Sequence, residues 1–435
     1  SDGIAGDHIF GYDAFATIQE GIDAVNAGGT VHVAEGTYAE NVSVNGESNL
    51  TIQGVGDTTI VEPASGIGFA ITSSNGTTIK NIQIHTTGEN AHGIWVAGTP
   101  NGGTTVSGLT VQDTTMVVDG YSAGIYAEQV NPAHTGWLIG GSGNGNTITV
   151  NAGTGVTGDG LDLHDVTNST VSYNTITLNT PTNSTNVLWT SELSNLSNLV
   201  FSNNIVSGSS GSEVAFVPNF ILGGSTTIGS VTVSGNTFSN WGSRALRIGT
   251  GASSVTVSGN KFLVASVAEI LKNEDASSVN AEANYWGFAT GPADGAVVED
   301  TGTVDYRPWY LDNTLTNLDE TPPTPGITSD ESPTTNVSPI PMAVNFGESV
   351  TGFAAGDVSI ANGTLGNFAG SGATYTFDVT PTADGAVTVD IAASVAQDAS
   401  GNLSNVATQF SITSDHTAPT ASVGYSTTDP TNGNV

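Results

Sequence analysis

The 435-residue chain contains no cysteine. That excludes a disulfide framework, a thiolate metal site and a cysteine nucleophile. Positive charge is almost as scarce: Lys and Arg total 6 against 40 Asp and Glu, for a formal net charge of -34. The six basic residues are Lys80, Arg244, Arg247, Lys261, Lys272 and Arg307, so the chain beyond residue 312 has none. Such a surface repels phosphate backbones and anionic lipid, which argues against nucleic acid and membrane surfaces as partners. It suits a high-salt or calcium-rich medium, where counter-ions screen the self-repulsion. No apolar run approaches the ~18 residues of a membrane span, so direct membrane insertion is not expected. Neither an initiating Met nor a signal peptide stands before Ser1, so a processed or trimmed fragment is expected.

What the chain does have is glycine (56 residues) and hydrophobic residues (37%) that alternate with polar ones. This is the composition of many short strands and turns. Self-similarity is the strongest signal. The segments "SGLTVQDTTM", "GNGNTITV", "VSYNTITL", "FSNNIVSG", "VSGNTFSN", "VSGNKFLV" and "AEANYWG" align on an amide or acid at Asp113, Asn146, Asn174, Asn204, Asn236, Asn260 and Asn284. A second short strand precedes most of them: "GIWVAG", "GIYAEQ", "GLDLHD", "NVLWTS", "EVAFVP", "ALRIGT", "EILKN". Short strands repeating every 20–33 residues or so, with no helix between, describe a solenoid whose coils stack ~4.8 Å apart around one long core. Stacked Asn side chains hydrogen-bond along such a stack, so the column is expected at one corner of successive coils.

At the N-terminus, "DAFATIQEGIDAVNAGG" places Phe15, Ile18, Ile22 and Val25 at helical spacing, with Asp13 as N-cap and Gly28 beyond the end. Such a helix caps the open apolar end of a solenoid. Together with "TVHVAEGTYAENVSV" and "NLTIQGVG" it resembles the start of right-handed parallel β-helix proteins of the pectate-lyase-like group. "NYWGFATGP" and "VDYRPWYL" resemble the closing segment of secreted β-helix domains. After a Pro/Thr/acid stretch, "MAVNFGESVTGF", "ATYTFDVTP", "GAVTVDIAASVA" and "TQFSITSD" alternate at sandwich spacing and resemble the bacterial Ig-like repeats of large surface proteins. The expected fold class is therefore all-β: a right-handed parallel β-helix with an N-terminal capping helix, followed by an Ig-like β-sandwich. The expected domains are a β-helix at 1–312, a linker at 313–324, an Ig-like domain at 325–416 and the truncated start of a second repeat at 417–435.

The chemistry is carried by the strand column. Its outward positions read Tyr126 and Glu128, then Asp162 and His164, then Leu188 and Thr190, then Ala215 and Val217, then Arg247. On a β-helix, Glu128, Asp162 and His164 supply an acid and a base for polysaccharide chemistry, and Tyr126, Trp189, Glu192 and Arg247 supply carbohydrate contacts. The run Asp162-Leu163-His164-Asp165 resembles the Asp-Pro-His-Glu segment of mannuronan C5-epimerases, with Leu163 in place of Pro. That resemblance implies catalytic roles for Asp162 and His164. The alternative is a solvated strand face with Asp165 capping the next turn. Trp95, Trp137 and Trp189 are either sugar platforms or packing residues. A lyase also needs a cation beside its base, and Arg247 lies three coils from His164, about 14 Å at strand spacing.

Calcium is the expected cofactor. Its candidate ligands are Asp319 and Glu320, then Asp398 and Asn402 of "DASGN", then Asp415. The leading functional expectation is a secreted or cell-surface bacterial protein with a structural or adhesive role, such as an adhesin, an S-layer or a filament component. Its partners are polysaccharide or neighbouring surface-protein subunits. The alternatives are a polysaccharide-acting enzyme (lyase, epimerase or glycosidase) and a non-catalytic carbohydrate-binding module.

Overall fold

Alternating apolar residues in short strands can be buried only if each strand has a neighbour on both edges. In the computed structural model that neighbour is the same strand of the next coil. The structure describes residues 14–97, 105–130, 132–152, 158–179, 185–189, 196–208, 214–215, 228–241, 244–249, 252–263, 269–288, 292, 296–299, 302–318, 320–331 and 333–424. Two units are separable, with the division between Asp319 and Glu320.

The first unit is a parallel β-helix. A front sheet stacks Val42–Asn45, Phe69–Thr72, Ile94–Val96, Ala123–Ala127, Asp159–Leu163, Thr185–Trp189 and Val214–Ala215, all parallel. Arg244–Ile248, Glu269–Asn273 and Val297–Glu299 form a further three-stranded parallel sheet. The remaining strands form one nineteen-stranded sheet. In-register stacking turns each inward position into a column. Ile52, Ile79, Val111, Ile139, Val171, Phe201, Val233 and Val257 form one such column, fully buried. Phe238, Phe262 and Trp286 end another as stacked rings about 5 Å apart.

The asparagine column is realised from Asn146 to Asn284. Each Nδ2 donates to the Oδ1 of the next Asn at 2.9–3.0 Å, and each is 0–1% exposed. Asp113 does not belong to it. Thr114 takes that place, its N–H donating to Asn146 Oδ1. Asp113 instead holds the left-handed residue just before the column (φ 48°), a position filled on later coils by Tyr173, Asn203, Gly235, Gly259 and Ala283. Asp tolerates this conformation, which explains an alignment one residue out.

The capping helix spans Ile18–Ala24, shorter than expected. Its N-cap is Thr17, whose side chain accepts the Glu20 N–H, while Asp13 lies outside the described residues. Glu40 reaches back from the first coil and accepts the N–H groups of Ile18 and Gln19. Three orphan donors of the first turn are thereby satisfied. Ile18 and Ile22 close the core. On the outer surface, His85 lies between Glu62 and Asp119, 2.9 Å from each, and bridges three coils.

The expected linker is divided between the two units. Tyr310 pairs with Leu318, and Leu311 N–H donates to Asn317 O within the first. Pro323 and Thr324 bond to Asn405 and Phe346 in the second. That second unit is a sandwich. Gly326–Thr328, Ile340–Val350 and Gly363–Pro381 make one antiparallel sheet. Thr334–Thr335, Phe410–Ser414, Gly385–Ile391 and Val358–Ala361 make the other. Ile340, Val344, Phe377, Val379, Val389 and Ile412 pack between them. Residues 417–424 form no strand, and the rest of the expected second repeat, 425–435, lies outside the described residues.

The Asn204 side chain makes four buried hydrogen bonds. Its Oδ1 accepts the N–H and Nδ2 of Asn174, and its Nδ2 donates to Val171 O and Asn236 Oδ1. Asn204→Ala strands groups on both adjacent coils and is expected to cost about 2–4 kcal/mol in urea denaturation. Asn204→Asp keeps the acceptor but sets a carboxylate against two acceptors, so it is expected to cost at least as much. An Asp variant as stable as the native chain would show that the ladder does not hold the stack.

Candidate functional site

Three neighbouring front strands build one cleft. Each reads Gly, apolar, variable, apolar: Gly93-Ile94-Trp95-Val96, Gly124-Ile125-Tyr126-Ala127 and Gly160-Leu161-Asp162-Leu163. The apolar positions are 0% exposed, so alternation sends Trp95, Tyr126 and Asp162 outward, in register with one another. Glu128 and His164 follow two residues later, also in register, their N–H groups donating to Val96 O and Ala127 O.

The glycines matter at one point. A Cβ on Gly93 would lie 2.7 Å from Gly124 O, and one on Gly124 would lie 2.6 Å from Gly160 O and from an Ile148 methyl. Glycine and the next residue are therefore both turned inward, and the period of two is broken. The row before the glycines (His92, Ala123 and Asp159) comes onto the same face as Trp95, Tyr126 and Asp162. The result is a cleft of about 420 Å³ lined by His92, Trp95, Tyr126, Glu128, Asp159, Asp162 and His164, with Asn90 and Tyr121 among its other residues. Among the described residues its lining includes no Lys or Arg.

The site is rigid and mostly neutral on its aromatic side. His92 stacks on Tyr126, with centroids 4.5 Å apart and planes 12° apart, and its Nδ1 accepts the Ala123 N–H. The proton of the neutral ring therefore sits on Nε2. Burial lowers the His92 pKa to about 4. The Tyr126 phenol is pushed up to about 12, by burial first and then by the charges of Asp162, Glu128 and Tyr121. His164 meets the Tyr126 ring edge-on at 5.6 Å. Burial raises the Asp162 pKa, partly offset by His164, whose Nε2 lies 2.8 Å from Oδ1. That oxygen is shielded from solvent, with His164 Nε2 beside it.

Behind the cleft, Asp165 and His134 hold the segment that follows Glu128. Asp165 is 2% exposed and accepts the Val130 N–H. His134 accepts the Val106 N–H at Nδ1 and donates from Nε2 to Glu128 O. The run Asp162-Leu163-His164-Asp165 thus divides: Asp162 and His164 face the cleft, and Asp165 is a buried support. Trp137 is a packing residue, 2% exposed, with Nε1 bonded to Val106 O.

Several expected contacts are placed elsewhere. Arg247 belongs to the separate three-stranded sheet, where Nε and Nη2 donate to Glu274 Oε2 and Lys272 Nζ lies 2.8 Å from Oε1. Burial alone would raise the Glu274 pKa, but these two cations lower it. Arg247 is thereby committed to structure. The expected outward pair Leu188 and Thr190 is one residue out of register. Leu188 aligns with inward Leu161, and Trp189 aligns with Asp162. A one-residue slip exchanges the faces of a strand. Thr190, Glu192, Val217 and Asp319 lie outside the described residues. His92 and Asp159 were missed because strict alternation assigns them to the wrong face; the glycine that follows each by one position was the available signal.

At the acid-rich turns, Asp398 is buried and both its oxygens accept from Asn402, from the N–H at 2.8 Å and Nδ2 at 2.9 Å. Asp415 accepts the Thr417 N–H, and Glu320 is exposed. Among the described residues no group of three or more His, Asp or Glu side chains is placed to hold a metal ion.

A parallel β-helix with an outward cleft, joined in one chain to an immunoglobulin-like sandwich, is the class that fold and site define. The sandwich is identifiable further: residues 319–414 match the family described as bacterial Ig-like domain. No curated protein matches the chain. Among solved structures, the chain is similar to ORF18 of Geobacillus virus E2, at 12% identity and a TM-score of 0.35, over 94% of this chain and 76% of that one. It is similar to PfbA, a surface adhesin of Streptococcus pneumoniae, at 11% identity and a TM-score of 0.28, over 67% and 86% of the two chains. The enzymatically active domain of bacteriophage CBA120 tailspike protein 2 aligns at 9% identity and a TM-score of 0.32, over 92% and 67%.

His92 and His134 make the β-helix sensitive to acid. Burial lowers both pKa values to about 4 in the folded chain, against about 6.5 unfolded. The unfolded state therefore binds more protons as pH falls between those limits. The stabilisation is complete above about pH 6.5 and declines toward pH 4, by on the order of 3 kcal/mol per histidine. His134→Gln retains a donor and an acceptor, so it is expected to flatten the fall in stability between pH 7 and 4.5. Denaturation curves at the two pH values that shift as far as those of the native chain would show that His134 is not responsible.

Proposed function

We propose that this chain is part of a surface-displayed bacterial protein whose β-helix binds polysaccharide through the Trp95–Tyr126–Asp162 cleft. The observation that carries the reading is the cleft itself. It is a recess in a stacked-strand face that combines two outward aromatic residues with convergent polar groups. The match of residues 319–414 to bacterial Ig-like domains supports a spacer role for the sandwich and an extracellular location. Among the described residues no helix is long and apolar enough to cross a membrane.

Binding to an immobilised panel of bacterial and plant polysaccharides is expected for the native chain. It is expected to fall at least tenfold for Trp95→Ala or Tyr126→Ala, since loss of an aromatic anchor commonly costs more than ~1 kcal/mol. Equal binding by native chain and both variants would remove the cleft from the function.

Catalysis is the second reading, favoured by a buried carboxyl group with a raised pKa beside a histidine. Among the described residues the cleft lining holds no Lys or Arg of the kind that a uronate lyase places on its substrate carboxylate. Alginate, pectate and chondroitin are therefore expected to yield no unsaturated product in ultraviolet absorbance. An absorbance increase abolished by His164→Ala in a folded variant would establish the enzyme instead.

Calcium enters this proposal as a counter-ion to the net charge of -34 rather than as a caged ligand. The support is the self-contained hydrogen bonding of Asp398 and Asn402. Diffuse screening does not distinguish between divalent ions. Ca²⁺ and Mg²⁺ at equal concentration are expected to raise the melting temperature equally. A rise specific to Ca²⁺, reversed by chelation, would place a site in the chain.

A further inference from the structure

The side chains that line the cleft divide by charge into engaged and unengaged groups. His164 Nε2 lies 2.8 Å from Asp162 Oδ1, and Glu128 and Asp159 take part in interactions of their own. The uncharged side chains differ. Among the described residues nothing hydrogen-bonds the Asn90 side-chain amide, the Trp95 indole N–H, the Tyr121 and Tyr126 hydroxyls or Nε2 of His92. The unused hydrogen-bonding capacity of the cleft is therefore carried by uncharged groups. His92 Nδ1 accepts the Ala123 N–H, so its neutral ring presents Nε2–H. With a pKa of about 4 it stays in that form at physiological pH.

Packing gives the aromatic residues separate parts. His92 covers one face of Tyr126 and His164 meets its edge, so Tyr126 offers the cleft its hydroxyl rather than an open ring face. Trp95 stands in register between Ala70 and Tyr126. Ala70 contributes only a methyl beside the indole, so Trp95 supplies the surface for the apolar face of a sugar ring. Tyr and Asn side chains donate and accept, while Trp and this His92 tautomer donate. Sugar hydroxyls, which do both, match that set. An ionic group would lose its hydration on entering the recess and would need an opposite charge there. A carboxylate or sulfate meets no Lys or Arg among the described lining residues, and an ammonium meets Asp162 already beside His164.

We propose, resting on the glycan-binding reading above, that the cleft takes uncharged glycans: a sugar ring lies against Trp95, and its hydroxyls are read by Asn90, His92, Tyr121 and Tyr126. The ligand is a neutral hexose or pentose polymer, not a polyuronate, a sulfated chain or a polyamine.

The test is binding of the full chain to xyloglucan, galactomannan, β-1,3-glucan and dextran, against polygalacturonate, chondroitin sulfate and chitosan. At least one uncharged polymer is expected to bind at least tenfold more tightly than any charged one. Binding without ionic contacts releases no counter-ions, so its affinity is expected to change less than twofold between about 0.05 M and 1 M NaCl. Tyr126→Phe removes one hydroxyl and keeps the ring that stacks on His92. Asn90→Gly removes one amide at a left-handed position (φ 55°) that glycine adopts readily. Each is expected to weaken binding roughly three- to tenfold, the worth of one neutral hydrogen bond. Melting temperature and circular dichroism confirm that the variants are folded.

A charged polymer that binds as tightly as the best uncharged one overturns the inference, as does an affinity that falls more than twofold with salt. Binding of an uncharged polymer that both variants leave unchanged overturns it too. In each of these cases glycan binding itself stands. If no polymer in this set or in the polysaccharide panel binds, both the inference and the glycan-binding reading fall.

Discussion

Parallel, in-register pairing of each coil with the next is the constraint on which the β-helix depends. It satisfies the strand N–H and C=O groups of a chain that has few helical turns, and it forces like positions into columns. A column suits an apolar side chain, which stacks on itself. A polar side chain can occupy a buried column only if it donates and accepts along the stack at the same time. Asparagine does this: the Asn174 amide accepts from Asn146, donates to Asn204 and caps the Ile139 carbonyl. Because the amide must meet its equivalent at about 3 Å, the ladder also pins the register that the hydrophobic columns alone would leave free to slip.

The same constraint makes the cleft. Outward side chains on adjacent coils are held close together whether or not they attract. Tyr126 stands between Trp95 and Asp162 because the backbone places it there. Three consequences follow for its chemistry. The phenol is kept neutral, His92 is flattened against it, and Asp162 is left with a partly compensated charge. The supporting layer is equally fixed, with Asp165 and His134 tying the chain after Glu128 to neighbouring coils. A site built this way is preorganised, so binding need not order its side chains.

Charge sets the rest of the behaviour. Two of the few cations, Arg247 and Lys272, are committed to Glu274. Acids at the turns are stabilised by local donors, as Asp398 is by the Asn402 amide and Asp384 by the Thr417 hydroxyl and the His416 N–H. Hydrogen bonding from these donors lowers the Asp384 pKa. Excess negative charge thus remains on the surface, where it keeps such chains apart and steers which ligands approach.

The architecture was legible in the sequence because it is periodic. Asn146, Asn174, Asn204, Asn236, Asn260 and Asn284 repeat, and repetition survives without knowledge of distances. The sandwich was legible through alternation and turn residues, and the capping helix through Ile18 and Ile22, although Thr17 and not Asp13 caps it. Glu128, Asp162, His164 and Tyr126 could be named as one face by counting along strands. Counting failed where the period failed. Gly93 and Gly124 are turned inward together with the residue that follows each, and His92 and Asp159 line the cleft. Leu188 aligns with Leu161 and Trp189 with Asp162, a one-residue shift that the sequence does not mark. Whether Asp162 is solvated or shielded, and whether Arg247 is free or bound to Glu274, depends on neighbours from the adjacent coil. The repeat in the sequence determined that the coils stack. Only the packed structure decided which side chains meet, because coil lengths vary and the distance between two outward residues is set by the register of the coils.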